Sequence, residues 1–407
     1  MKDLYKVFYE NDIGHFDEEL ERRLNSPTTV RTNFFIKPMK QSEIYQLFYV
    51  PTNSLIKLVS EIYYLSRAIN DFYQELPRIA QKEFIFELLT DELFQSNELE
   101  GVKSSRKEIA MSVRGNGEHK KNRRFGSLVN SYFSLLDKSY ELPTKPQHIR
   151  NIYDQITDGE IEKNNLPDGD IFRKEVVEVL KKSGTGKVIH RGIVPEEKIV
   201  QEMTNLLSFM NKEEDIPPLI KIAIGHYYFG YIHPFYDGNG RTSRFISSLY
   251  LSEEIGEIPA ISLSQACYLY ANKYMESFEI TNSIMNGGEL NYFIESFLQI
   301  LKDTLKKMIL EIKEKNRLLQ LAQDKILQEP KLAGLDNEYF NLMYVLAQNH
   351  FFAKNEGLTV QQLAPILNLS ESTARNMAKE LLNLSLIKQQ GIRPAYFYID
   401  ENYFEQS

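Results

Sequence analysis

His233-Pro-Phe-Tyr-Asp237-Gly-Asn-Gly-Arg241-Thr-Ser-Arg244 gathers into one loop and one helix start a set of groups that seldom sit side by side. His233 is the one ordinary side chain here that accepts a proton near neutral pH. Asp237 is a hard oxygen ligand suited to Mg2+. Gly238-Asn239-Gly240 lets the backbone turn sharply with its N–H groups on one side. A helix beginning there adds its dipole, so the segment predicts an anion site. Arg241 and Arg244, three apart on the first turn, put two fixed cations on roughly one face. Base, metal carboxylate, anion cradle and two arginines together describe phosphoryl or nucleotidyl transfer, which needs positioning and charge neutralisation more than covalent chemistry. Taken singly, each feature has a plainer reading: a structural histidine, a common turn, two surface charges. A His/Asp metal hydrolase using His226 is a further reading. It is disfavoured because a catalytic metal wants more ligands than the segment holds, and arginines beside it oppose a cation.

Outward from the loop, Leu219 to Ile232 (LIKIAIGHYYFGYI) is an apolar helix that delivers it, and a helix from about Arg241 through Leu251 leads away. Helical spacing predicts further helices from Ser54 onward, from Pro77 to Glu100, over 145–157 and from Glu196 to Asn211. Gly101 ends the second of these in a left-handed conformation. A long charged helix near Leu290 to Gln328 is stopped by Pro330. Phe172 to Val194 changes character: Val176, Val177, Val179 and Leu180, a Gly184-Thr185-Gly186 turn, then Val188, Ile189 and Ile193 predict a β-hairpin flap. Its Gly186-Lys187 is not the end of a P-loop, because Lys181 stands where the first glycine belongs and Val188 replaces the required Ser or Thr. Arg114 to Phe125 (RGNGEHKKNRRF) is basic without interleaved aromatics, so it reads as a solvated loop rather than a nucleic-acid patch. Past Pro330 the pattern is Tyr339–Ala347, Val360–Leu367, and a helix N-capped by Ser370 running to about Leu384. Leu386-Ile-Lys388, a Gly391 turn and the alternating Ala395–Ile399 follow. That order outlines a winged helix-turn-helix.

The 407 residues suit two or three domains, and 42% hydrophobic with 26% charged content is that of an ordinary globular protein. The single cysteine, Cys267, excludes an internal disulfide framework and a multi-cysteine zinc site, and fits a reducing, cytoplasmic setting. No apolar stretch approaches a membrane span and the first residues lack a signal-peptide core, so no membrane partner is expected. A formal net charge of −8 opposes dominant nonspecific nucleic-acid binding.

His233-Pro-Phe-x-x-Gly-Asn-Gly-Arg-x-x-Arg244 resembles the complete signature of the Fic family, matched at every defining position. The resemblance extends over roughly residues 50 to 300: Asn-Leu-Pro-Asp-Gly-Asp-Ile-Phe-Arg173 is similar to the family's approach to its target-docking flap, and Leu219 to Ile232 to the helix entering the loop. It implies that His233 is the general base toward a target Ser, Thr or Tyr hydroxyl and that Asp237 holds Mg2+ on the α- and β-phosphates of ATP. Backbone N–H groups of Gly238, Asn239 and Gly240 would cradle the phosphates, Arg241 and Arg244 would contact the β- and γ-phosphates, and Phe235 would anchor the loop. The flap at 183–193 would clamp the target's backbone as an added strand. Ser96-Asn-Glu-Leu-Glu100-Gly101-Val-Lys-Ser-Ser-Arg106 resembles the family's inhibitory helix, and Ser96 and Glu100, one helical turn apart, share a face. The family's tyrosine pair for adenine has no clean counterpart in Tyr268–Phe278.

The resemblance implies a mainly α fold: a Fic-type helical bundle with a β-hairpin flap, plus a small α+β winged helix-turn-helix domain. The expected partition is 1–144, an N-terminal helical region with the inhibitory helix; 145–302, the Fic core; 303–332, a connecting helix; and 333–407, the winged-helix-like unit. The expected function is an autoinhibited protein adenylyltransferase moving AMP from Mg-ATP to a protein hydroxyl, its own chain included. The alternatives are a de-AMPylating hydrolase using Glu100 and a DNA-binding regulator with the Fic core as sensor. DNA binding through the C-terminal unit is not favoured, since Arg375, Lys379, Lys388 and Arg393 are offset by Glu371 and Glu380. A homo-oligomer is left open.

Overall fold

A computed structural model of the chain describes residues 1–10, 13–39, 41–115, 124–180, 188–212, 215–353 and 357–405. The chain is mainly helical with three small antiparallel sheets among the described residues. It divides into two compact units, Met1–Arg67 with Leu89–Lys306 and Ala68–Leu88 with Lys307–Ser407.

The first unit is built around the helices Pro218–Ile232 and Asn239–Ile255, which pack on each other. Pro218–Ile232 is apolar on every face, and a helix without a polar stripe belongs in the centre of a domain. Its partner is buried over nearly its whole length although it carries Ser247, Ser248 and Ser252; these small side chains let neighbouring helices approach. This helix starts at Asn239, two residues before the expected Arg241, so the Gly238–Gly240 amides belong to its first turn. Around the pair lie Gly126–Leu136, Pro146–Ile156 and Glu196–Asn211, the last two on the expected segments.

The first fifty residues have no assigned elements in the sequence reading, and the structure supplies four. Helices Leu4–Glu10 and Ile13–Leu24 precede a hairpin of Val30–Ile36 against Tyr45–Tyr49. Thr32, Phe34 and Ile36 point inward and Arg31, Asn33 and Phe35 outward, the two-residue period of a half-buried strand. Phe34 stacks on Tyr228 at 4.1 Å and so docks the hairpin on the central helix. The flap strands, Glu178–Leu180 and Val188–Arg191, pair antiparallel as expected. The Gly184-Thr185-Gly186 turn lies outside the described residues, as does most of the basic segment 114–125; Arg114 ends the helix Arg106–Arg114 and Phe125 precedes Gly126–Leu136.

The second unit runs, after its 68–88 segment, through Asn337–Phe352, Leu358–Thr359, Val360–Ile366, Glu371–Asn383, Ile387–Gln390 and Tyr396–Ile399. Tyr396–Ile399 is the central strand, between the two-residue Leu358–Thr359 and Ile387–Gln390. Ser370 caps its helix as expected, accepting the Thr373 N–H at 3.1 Å. Among the described residues no helix is long and apolar enough to cross a membrane.

Candidate active site

The helix Pro218–Ile232 ends at His233, whose backbone turns into the left-handed region with φ 51°. A non-glycine residue there is uncommon and marks a place where the surroundings over-determine the backbone. Nδ1 of His233 lies 3.4 Å from the carbonyl of Gly230, which can only accept, so Nδ1 carries the proton and Nε2 keeps its lone pair. Desolvation, with His190 and Arg173 close by, holds the imidazolium well below its usual range. The ring is therefore neutral at pH 7, the state a proton acceptor requires.

The loop that follows is pinned from within. Phe235 is fully buried, stacked on Tyr153 at 3.8 Å and edge-on to Phe172 at 5.5 Å, the anchoring role expected of it. The Asn239 side chain closes a ring with the Phe235 backbone, Oδ1 accepting its N–H at 2.9 Å and Nδ2 donating to its carbonyl at 2.7 Å. Asn239 thus has a structural side-chain task alongside whatever its amide does. Asp237 is half-buried, and one of its oxygens accepts the Gly238 N–H at 2.5 Å.

The two arginines face different surroundings. Arg244, 1% exposed, donates to Glu100 Oε1 at 2.8 Å, to the Ser96 hydroxyl at 3.1 Å and to the Ser96 carbonyl at 3.0 Å. Ser96 and Glu100 close the helix Arg78–Glu100, so one helical face grips one guanidinium. The fit is close: a Cβ at position 240 would lie 2.0 Å from Glu100 Oε1. Arg241 is 2% exposed, with Asp237 and Glu100 as charged neighbours, yet among the described residues none of its three guanidinium nitrogens has a hydrogen-bond partner. A cavity of about 1060 Å³ opens over His233, Gly240 and Arg244, with Glu100, Tyr274 and the flap residue Val188 among its walls.

His226 does not join His233. It is buried, Nδ1 on Ser247 Oγ at 2.8 Å and Nε2 on Tyr274 Oη at 2.7 Å, and the described residues contain no group of three His, Cys, Asp or Glu able to hold a metal. Mg2+ needs no such group, since one or two carboxylates serve it when phosphates and water supply the rest; the half-buried Asp237 fits that donor set. Of the aromatic stretch with no clean family counterpart, Tyr274 lines the cavity while Tyr268 is exposed.

Sequence reasoning missed Arg173 as a site residue, together with His190 and Glu92. Glu92, two turns before Glu100, is fully buried and accepts the N–H groups of Ser264 at 3.0 Å and Gln265 at 3.1 Å, where the helix Leu263–Leu269 begins. Burial pushes its carboxyl up to about 7. A carboxyl raised on folding stabilises the fold fully below its ordinary value near 4.5 and loses that contribution as pH climbs to the folded value. The melting temperature of the wild type relative to Glu92→Gln should therefore fall between pH 4.5 and about 7 and then level off. A difference that stays flat across that window, measured by calorimetry, would show that Glu92 does not titrate there.

Residues 143–251 match the model of the Fic/DOC family. Over 58 residues the chain is 36% identical to protein adenylyltransferase fic-1 of Caenorhabditis elegans, and 34% to that of Caenorhabditis briggsae. Each match takes in 14% of this chain and spans only 11% of the length of the curated relative. Among solved structures, a Fic family protein from Desulfovibrio desulfuricans G20 superposes with a TM-score of 0.53 at 17% identity, covering 88% of this chain and 99% of that one. That likeness is one of fold. The loop signature read from the sequence lies inside the family match, and residues 143–251 form a Fic/DOC family domain.

Proposed function

We propose that the chain is an autoinhibited protein adenylyltransferase, moving AMP from Mg-ATP to a Ser, Thr or Tyr hydroxyl of a protein target. The observation that carries this reading is the contrast between the two buried arginines at one helix start. Among the described residues Arg241 has no hydrogen-bond partner, whereas Arg244 is held by Glu100 and Ser96. A buried guanidinium without a partner costs stability and persists where an anion is to be bound. Amides of the first helical turn, at Asn239 and Gly240, and the helix dipole add to that site, while the Gly238 N–H is taken by Asp237. The partial similarity to the C. elegans adenylyltransferase supports AMP as the transferred group.

In the proposed reaction the target oxygen forms a bond to the α-phosphorus while the α–β bridging bond breaks and pyrophosphate leaves. His233 Nε2 takes the hydroxyl proton, and Arg241 and Arg244 neutralise the departing charge. Mg2+ held at Asp237 would supply further charge neutralisation on the phosphates. For the second unit, the order helix, strand, helix, helix, strand, strand supports a winged-helix reading, with protein docking or dimerisation favoured over DNA.

The test is incubation of the full chain and a cell lysate with ATP labelled at the α- or the γ-phosphate. Covalent label from α alone is expected; label from γ would make the chain a kinase, and loss of label from a pre-adenylylated protein would favour the reverse reaction. His233→Ala should lower incorporation by about 100-fold or more with ATP affinity kept, because the imidazole acts on the hydroxyl and not on the nucleotide. Undiminished incorporation by that variant would remove His233 from the chemistry.

A further inference from the structure

Four consecutive carbonyls at the end of the helix Pro218–Ile232 are held by the stems of the flap. Tyr231 O accepts from His190 Nε2 at 2.6 Å, and Ile232 O from the Ile193 N–H at 3.1 Å. His233 O accepts from Arg173 Nε at 2.9 Å, and Pro234 O from the Arg173 N–H at 3.3 Å. The last carbonyls of any helix lack intrahelical donors. Here the flap stems provide donors, so the backbone that presents the imidazole is capped by the element that would face a target.

Arg173 is the centre of this arrangement. It is fully buried, and among the described residues its side-chain hydrogen bonds go to backbone carbonyls: Nε to His233, Nη1 to Glu175 before the first flap strand, Nη2 to Ile193 after the second at 2.9 Å. A planar fork of donors can span three carbonyls in this way, whereas an ammonium cannot. The guanidinium's seat is itself fixed. Glu196 accepts the N–H groups of Asp170, Ile171 and Phe172 at 3.1, 2.7 and 2.9 Å, and Asp168 accepts those of Lys174 and the Tyr236 hydroxyl at 2.9 Å each. Gly192 passes so near that a Cβ there would lie 2.1 Å from Arg173 Nη2.

We propose that Arg173 is a positioning residue for His233, tying the backbone that carries the imidazole to both stems of the flap, so that what the flap grips sets where the base stands. This rests on the reaction proposed above. Misplacing a reacting group by about 1 Å costs up to about a hundredfold in rate, so the effect is expected on turnover rather than on nucleotide binding, since the Arg173 donors are taken by backbone carbonyls.

The experiment uses the full chain carrying Glu100→Gly as parent, with Arg173→Lys and Gly192→Ala added separately. Mg-ATP affinity is read by calorimetry, turnover by self-incorporation of α-labelled ATP, and the state of His233 by the carbon resonance of its isotope-labelled ring. Arg173→Lys should bind Mg-ATP like the parent, lose about 10- to 100-fold in turnover and move the ring resonance. Folded Arg173→Lys with parental turnover and an unmoved ring signal overturns the proposal, as does a loss of Mg-ATP affinity in step with melting temperature, which is the mark of a merely structural residue. If Arg173→Lys does not fold, Gly192→Ala, which keeps the guanidinium and only displaces it, is read by the same criteria. If the parent transfers no AMP, the proposed reaction falls, while the ring resonance still decides the role of Arg173.

Discussion

Replacing Glu100 by glycine should raise AMP incorporation about 10- to 150-fold, since a charge-assisted hydrogen bond worth about 1.5–3 kcal/mol no longer has to be broken to admit the γ-phosphate. Glu100 Oε1 sits 2.8 Å from Arg244 and would lie 2.0 Å from a Cβ at Gly240, so it occupies the space beside the helix start where the proposed nucleotide would place its phosphate oxygens. The gain has a cost of opposite sign in the unliganded protein. Arg244, 1% exposed, would keep its Ser96 contacts but lose its counter-charge, and a buried charge stripped of its partner is strongly destabilising. Glu100→Gly should therefore melt at a lower temperature than wild type without nucleotide and recover most of the loss when Mg-ATP is added. Arg244→Ala in the same background should erase the activity gain. A Glu100→Gly protein no more active than wild type, at equal folded concentration, ends the autoinhibition reading.

Arg241→Met should show the reverse pair of signs: a fold at least as stable as wild type and transfer lowered on the order of 100- to 1000-fold. Its three guanidinium nitrogens are buried without a hydrogen bond among the described residues, and each buried group left in that state costs about 1–3 kcal/mol. A methionine fills a similar volume with no such penalty, which is why replacing buried charge by apolar side chains is often neutral or stabilising. What is lost is the attraction to Asp237 and, on binding, the cation for the phosphates. Measured together, melting temperature and Mg-ATP affinity separate the readings. If Arg241→Met is destabilised and still binds Mg-ATP like wild type, the guanidinium is a structural group and the anion site lies elsewhere.

The sequence alone determined the parts of this protein that are local. The proposed base, metal ligand, anion cradle and cation pair of His233 to Arg244 could be named from the sequence because all of these residues lie within one loop and one helical turn. The helices ending at Glu100 and Ile232 were legible from apolar spacing and from Gly101, and the shared face of Ser96 and Glu100 followed from helical periodicity. The Val30–Ile36 and Tyr45–Tyr49 hairpin was not legible: its inward alternation is short, Phe35 points outward in the middle of it, and the strand finds its apolar partner in Tyr228 far along the chain. The difference between Arg241 and Arg244 was equally out of reach. Both sit on one helical turn with the same chemistry, and only the helix arriving from residues 96–100 makes one paired and leaves the other without a hydrogen bond. Arg173 stands between Phe172 and Lys174 with no local mark of its task, because its partner carbonyl at His233 is 60 positions away. Local periodicity reports which face of an element is buried, whereas hydrogen bonds between distant segments are chosen by packing, so the chemistry of the site was written in the chain and its pairing only in the tertiary structure.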